Sequence, residues 1–181
     1  MRYIIHCLLK GDVEQYQHSR VSQIEKKFGL KRTKKENLDT HFTLKYSFTT
    51  NKIIEVEKIC ENFAKTHQKE PVIVGGFEGF PKKVIFLNVT LSPKAKNNFT
   101  EFITELKKID WMEWDKYDGE NLHFHSTIAE ECNEKYDLVK DYLKDKEKSF
   151  NCWFDNITIL KLVSGTKEEG KWKIHKQFNF K

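Results

Sequence analysis

Apolar and polar residues alternate along this chain in short runs of period two and longer runs of period near 3.6, the signatures of half-buried strands and amphipathic helices. The apolar run from Tyr3 to Leu9 predicts a first strand over residues 2–9. From 13 to 28 the stripe Val13, Tyr16, Val21, Ile24 and Phe28 predicts a helix closing at Gly29, a residue free to take the left-handed conformation of a helix C-terminus. Residues 40–48 read as a strand and 51–66 as a helix with Ile54, Ile59, Phe63 and Ala64 on its apolar side, Pro71 lying just beyond. Val72 to Val74 then reads as a short strand, 75–81 as an irregular glycine-bearing turn and Val84 to Leu91 as another strand. Ser92-Pro93 opens a helix, a capping hydroxyl followed by a residue whose fixed φ suits the first turn, and Phe99, Phe102, Ile103 and Leu106 supply its buried side to about residue 109.

The segment from Trp111 to Gly119 is aromatic but turn-like, a strand follows at about 121–129, and Tyr136, Leu138, Val139, Tyr142 and Leu143 mark a further helix. Phe150 to Val163 alternates as one extended stretch, and Ser164 to Gly170 forms a polar hairpin link to a last strand marked by Trp172, Ile174, Phe178 and Phe180. About seven strands and four helices in mixed order predict an α+β fold, with helices packed on largely antiparallel sheets. The order strand, helix, strand, helix occurs over residues 2–66 and again over 84–146. It predicts two lobes of approximate internal symmetry within a single domain spanning 1–181.

Composition narrows the class. With 14 Phe, 4 Trp, 6 Tyr and 33% charged residues, the chain reads as a soluble globular protein with an aromatic core. Cys7, Cys60, Cys132 and Cys152 form no Cys-x-x-Cys pair, which points to a reducing, intracellular compartment and a cytoplasmic location. The N-terminal apolar run is too short to span a bilayer and meets Lys10, Asp12 and Glu14 without a small-residue cleavage site, so neither a membrane nor a signal peptide is expected. The net charge of +5 favours encounter with a polyanion, and the runs Lys26-Lys27 and Lys31-Arg32-x-Lys34-Lys35 could gather a nucleic-acid backbone.

The chemistry concentrates in two strings, His41-Phe42-Thr43-Leu44 and His125-Ser126-Thr127-Ile128, each on a predicted strand. Alternate strand residues share a face about 7 Å apart, so each string presents an imidazole and a hydroxyl together. Two such strands side by side would bring His41, Thr43, His125 and Thr127 around one phosphodiester. Displacement at phosphorus calls for a base on one side and an acid on the other, and imidazoles with an ordinary pKa near 6.5 can serve as both. The threonine hydroxyls would donate to the non-bridging oxygens. Lys45 continues the face of His41 and Thr43, adding positive charge at the cleft or reaching solvent. Tyr46, Phe77, Phe80 and Trp172 are candidates to stack on a base. His123 shares the face of His125; a His-x-His pair can ligate zinc, but no third ligand has sensible spacing, so no metal and no cofactor is expected. His6, His18, His67 and His175 show no partner pattern and read as core or surface residues.

At these residues the chain resembles the two-histidine phosphoesterase superfamily, and within it the LigT-like group of RNA 2',3'-cyclic phosphodiesterases and 2'-5' RNA ligases. The resemblance rests on the N-terminal strand, the motifs at His41 and Thr43 and at His125 and Thr127, the Gly79-Phe80-Pro81 turn leading into Val84 to Leu91, and Ile157-Thr158-Ile159-Leu160 ahead of a Trp-bearing terminal strand. It implies a bilobal α+β fold with a central cleft, one motif strand from each lobe, and metal-independent chemistry on a 2',3'-cyclic phosphate or 2'-5' linkage in RNA or a small nucleotide. Ligation would be the reverse reaction. Hydrolysis of cyclic di- or oligonucleotides on the same residues is a second reading, and a non-catalytic RNA- or nucleotide-binding module a third. The expected protein is a monomer with no obligatory protein partner. In the group a proline usually introduces the second motif and an arginine trails it; here Leu122-His123-Phe124 precedes and Ala129-Glu130 follows, which puts in doubt a substrate contact made by that arginine.

Overall fold

The computed structural model describes residues 1–33, 39–166 and 170–181. Among these, eight strands and four helices follow one another as β1 (Arg2–Leu8), α1 (Asp12–Phe28), β2 (His41–Thr49), α2 (Ile53–Thr66), β3 (Glu70–Phe80), β4 (Val84–Leu91), α3 (Pro93–Leu106), β5 (His125–Glu130), α4 (Tyr136–Leu143), β6 (Ser149–Phe154), β7 (Asn156–Ser164) and β8 (Lys171–Asn179). The strands form two four-stranded antiparallel sheets, ordered β2-β1-β7-β8 and β5-β4-β3-β6. Each sheet contains one strand–helix–strand unit, β1-α1-β2 in the first and β4-α3-β5 in the second, so the predicted duplication is present. In both units the strand bearing a His-x-Thr string ends up at the sheet edge. The α+β class and the helix boundaries follow the sequence pattern. Gly29 closes α1 at φ +70, and the Ser92 hydroxyl accepts from Ala95 N at the start of α3.

Two elements differ from the sequence expectation. The glycine-bearing segment after Val74 is not a loop: β3 runs unbroken to Phe80, and a bulge between Gly75 and Phe77 absorbs one extra residue opposite β4, with Gly76 at φ +71. The alternating run from Phe150 to Val163 is two strands in different sheets. β6 pairs with β3, and after Asp155 the chain crosses to pair with β1 as β7. Asn156 makes the crossing at no hydrogen-bond cost: its Oδ1 accepts from Leu8 N at 3.0 Å and its Nδ2 donates to Leu8 O at 2.9 Å. This side chain serves the end of β1 where a strand residue would otherwise pair.

Apolar burial on one face of each sheet makes the core. Ile5, Cys7, Phe42, Leu44, Ile157 and Ile159 supply it from the first sheet and Val72, Val74, Ile85 and Leu87 from the second, with Phe99, Phe102 and Leu106 of α3 packed in. Two polar ties then join the lobes. Asp118, in the irregular segment leading into β5, accepts from Lys45 Nζ at 2.7 Å and from Tyr46 N at 2.8 Å, both on β2. From α1, Gln17 Oε1 accepts from Ser126 Oγ at 2.7 Å while its Nε2 donates to Thr127 O at 2.8 Å, both on β5.

Removing Asp118 leaves the Lys45 ammonium buried and unpaired. Asp118→Ala is expected to cost about 3–5 kcal/mol in urea denaturation, and Lys45→Met in that background to recover part of the loss. A cost of well under ~1 kcal/mol, the range of exposed pairs, would show that the tie is dispensable.

Candidate active site

β2 and β5, the free edges of the two sheets, adjoin one another. His41 opens β2 opposite Leu8, with Thr43 opposite His6; His125 opens β5 opposite Asn88, with Thr127 opposite Phe86. All four motif side chains are partly exposed. His41 and His125 lie within electrostatic reach, since charge on His125 lowers the proton affinity of His41.

The two imidazoles are held by the same device. His41 Nδ1 sits 2.6 Å from Asp39 O and His125 Nδ1 2.7 Å from His123 O, in each case the carbonyl two residues upstream. A carbonyl only accepts, so Nδ1 carries the hydrogen and donates it, leaving the Nε2 lone pair for chemistry. Among the described residues nothing in the protein takes either Nε2, or the hydroxyl of Thr43 or Thr127. Two free bases and two free donors are thus set on neighbouring edges. Burial pushes His41 down to about 4, opposed by the Asp39 carbonyl and reinforced by His125. His125 is also lowered, chiefly by burial, with the His123 carbonyl opposing and the His123 ring adding to it.

The sequence profile of the 2'-5' RNA ligase superfamily matches residues 13–166. The chain belongs to that superfamily. Its fold is that of the LigT-like group of two-histidine phosphoesterases: the crystal structure of TT0787 from Thermus thermophilus superposes with a TM-score of 0.67 at 11% identity, covering 99% of this chain and 98% of that one. Escherichia coli LigT complexed with 3'-AMP gives 0.64 at 10% identity, covering 99% and 97%. No curated protein matches the sequence. Membership and fold together support phosphoesterase activity of the two-histidine kind in general terms.

Within this superfamily member the remaining candidates fall in different places. Lys45 does not reach the cleft or solvent. β2 carries an extra residue opposite the step from Ile5 to His6, so Leu44 and Lys45 are both buried, and the ammonium, fully sealed, is spent on Asp118 and lies 4.9 Å from the Trp114 ring centre. Burial lowers its proton affinity and Asp118 beside it opposes that. Tyr46 is half-buried, its backbone held by Asp118. Phe80 is 41% exposed at the end of β3, its ring 6.0 Å from His125 and 5.4 Å from His123. Gly79 permits this placement, because a Cβ there would lie 2.5 Å from Val84 O. His123 is exposed, 5.7 Å from the His125 ring. Phe77 is buried, and Trp172 lies on β8 at the far edge of the first sheet. No cluster of three His, Cys, Asp or Glu side chains able to hold a metal exists among the described residues. No helix there is long and apolar enough to cross a membrane.

The basic run splits. Arg32 is engaged by Glu130 at 3.4 Å and by Glu131, while Lys34 and Lys35 lie outside the described residues. His67 and His175 pair with Glu101 and Glu57, away from the motifs. The residue that pattern reading passed over is His6, whose ring stacks on His41 with centres 3.8 Å apart and planes 7° from parallel. Its signal was register: a strand residue facing Thr43 also faces the motif.

Because His6 is sealed and His41 half-buried, both held neutral with proton affinities below the ordinary value of 6.5, the unfolded chain binds more protons than the folded one below that pH. Stability is therefore expected to be full above about pH 6.5 and to fall as pH drops toward 4, read by denaturant midpoints across that window. In His6→Phe the fall should be shallower. An equal slope in both proteins would contradict burial of a neutral His6.

Proposed function

We propose that this protein is a metal-independent phosphodiesterase that opens a 2',3'-cyclic phosphate, or cleaves a 2'-5' phosphodiester, in RNA or a small nucleotide. What supports the reading is the matched pair of imidazoles, each with Nδ1 tied to its own strand and Nε2 unclaimed, on two adjoining edges that also present two unclaimed threonine hydroxyls. Binding alone does not need two titrating groups oriented alike. One neutral imidazole takes the proton of the attacking oxygen as it bonds to phosphorus; the other, protonated, delivers its proton to the ribose oxygen as that bond breaks. Thr43 and Thr127 donate to the non-bridging oxygens, where negative charge grows in the transition state. Phe80, an exposed aromatic ring beside His125, offers a face for a nucleobase.

The test is turnover of 2',3'-cyclic mononucleotides, a 2'-5' dinucleotide and cyclic dinucleotides, with and without chelator. His41→Ala and His125→Ala are each expected to lower kcat/KM by about 10²–10⁴-fold, the usual worth of a general acid or base, with no effect of chelator. Turnover confined to the cyclic dinucleotides would transfer the same machinery to that substrate class. Tight binding without turnover of any of them would make the protein a binding module, and sensitivity to chelator would bring back a metal.

The rate profile follows from the direction of the shifts. Both histidines are lowered below 6.5, so the free enzyme holds one neutral and one protonated imidazole only on the acid side of that value. The expected kcat/KM is a bell with its maximum below about pH 6.5, falling toward neutrality as the acid loses its proton. A flat profile from about pH 5 to 8 would rule out a paired acid and base.

A further inference from the structure

The two halves of the site are alike in backbone and unlike in what backs each histidine. Register makes His6 on β1 the counterpart of Phe86 on β4: the first lies opposite Thr43, the second opposite Thr127. Behind His125 stands the Phe86 ring, 4.7 Å away and tilted 43°, with Phe80 edge-on at 6.0 Å. Behind His41 stands an imidazole in parallel contact, 1% exposed, with neither ring nitrogen hydrogen-bonded. That arrangement leaves two buried ring nitrogens without a partner, a cost that a phenylalanine at position 6 would avoid.

The chemical consequence is an asymmetry in where a proton can reside. The tilted Phe86 ring attracts an imidazolium through its quadrupole, which favours charge on His125, while the exposed His123 ring 5.7 Å away opposes it. His6 offers His41 no such partner: it is stacked in a parallel plane and held neutral by its own burial, with the His41 ring adding to that, so it aims no nitrogen at the His41 ring edge and presents no benzene quadrupole. The other groups facing His41 are the Asp39 carbonyl on Nδ1, the Asp39 carboxylate, itself held by Lys10 at 3.2 Å, and His125 across from it on β5. The carboxylate favours charge on His41 and His125 opposes it. With Nδ1 anchored and one face covered, the ring has one orientation left and one free nitrogen.

We propose that His6 is a positioning residue that keeps the His41 imidazole neutral and aligned, so that His41 serves as the base and His125 as the acid. Water bonds to phosphorus as its proton passes to His41 Nε2. The bond from phosphorus to the ribose oxygen breaks, and that oxygen takes the proton held on His125 Nε2. Exchange with solvent then resets both rings. The inference rests on reading residues 41 and 125 as an acid–base pair, and it explains why a third histidine is buried unpartnered against one of them.

The experiment follows the histidine Cε1–H resonances by NMR through a pH titration of the wild-type protein, His6→Phe and His6→Ala, with His41 and His125 assigned by their loss in His41→Gln and His125→Gln. His6→Phe keeps a ring against His41 but supplies an electron-rich face that takes no proton; His6→Ala admits water. In both, the His41 midpoint is expected to rise from about 4 by on the order of one pH unit, and the acidic limb of kcat/KM to rise with it. His125 should stay put. An unmoved His41 midpoint in both variants overturns the proposal, as does a loss of kcat with both limbs unchanged, which is what a merely structural His6 would give. The roles are read separately on bis(p-nitrophenyl) phosphate, whose leaving group departs without a proton. His125→Ala should lose far less on this ester than on a 2',3'-cyclic nucleotide, and His41→Ala should lose equally on both; the reverse pattern overturns the assignment. If the wild-type protein turns over none of these esters, the acid–base reading fails on its own, while the NMR titration still decides the effect of His6 on His41.

Discussion

The site exists only if the exposed edges of two separate sheets are held side by side, and the interaction that most directly does this is the sealed ion pair of Lys45 and Asp118. A lone buried ammonium is too costly to tolerate, so Lys45 can be buried in β2 only when a carboxylate is brought to it. The carboxylate comes from the segment that leads into β5, 73 residues on, and its second oxygen accepts from Tyr46 N. One motif strand thus tethers the approach to the other. Gln17 adds a tie in the opposite sense, gripping β5 between His125 and Thr127 from the helix that follows β1. The pseudo-symmetric lobes could each fold their own strand–helix–strand unit, but these crossed ties set their spacing.

Once the edges are adjacent, backbone geometry does the rest. In both lobes the motif histidine is the first residue of its strand, and its Nδ1 donates to the carbonyl two residues back, where the chain is not yet engaged in the ladder. The tautomer is therefore dictated by the strand's own start, with no carboxylate partner to orient the ring. The lobes then diverge through side chains alone: His6 in one position and Phe86 in the equivalent one. Divergence of that sort turns a symmetric pair of bases into a pair with different proton affinities, which is what in-line displacement needs from two chemically identical groups.

Much of this was legible in the chain. Periodicity located α1 to α4 and the two motif strands, because an amphipathic stripe or a two-residue alternation records which side faces the core. What periodicity cannot record is partnership across long separations. The run from Phe150 to Val163 reads as one extended stretch, but its alternation shifts phase between Phe154 and Ile157, and there Asp155 divides it between two sheets, with pairing decided by β3 and β1 and by the reach of the Asn156 amide to Leu8. Glycines at 75 and 76 suggested a loop, whereas a bulge lets a strand pass through them. Alternation placed Lys45 with His41 and Thr43, but an extra residue in β2 shifts the phase, and the residue that neutralises it is remote in sequence. His6 was unreadable for the same reason: its meaning lies in a ring 35 positions away.

The treatment of cations at this site limits how it can hold a phosphodiester. Glu130, at the end of β5, is ion-paired to Arg32, whose guanidinium also meets Glu131. Lys45, which could have supplied charge from the other edge, is consumed by Asp118. Both cations are thus neutralised by carboxylates before a substrate arrives. Neutral hydroxyls from Thr43 and Thr127 can follow the charge that builds on phosphorus, but they add little attraction for the ground-state anion. Among the described residues Lys10 is likewise taken up by Glu14 and Asp39, so what an imidazole adds is its proton, held on the acid side of 6.5 in the unliganded protein and drawn further onto the ring when an anion binds. Substrate capture and acid catalysis consequently draw on the same proton, and the Phe86 ring beside His125 is where this fold can best keep it.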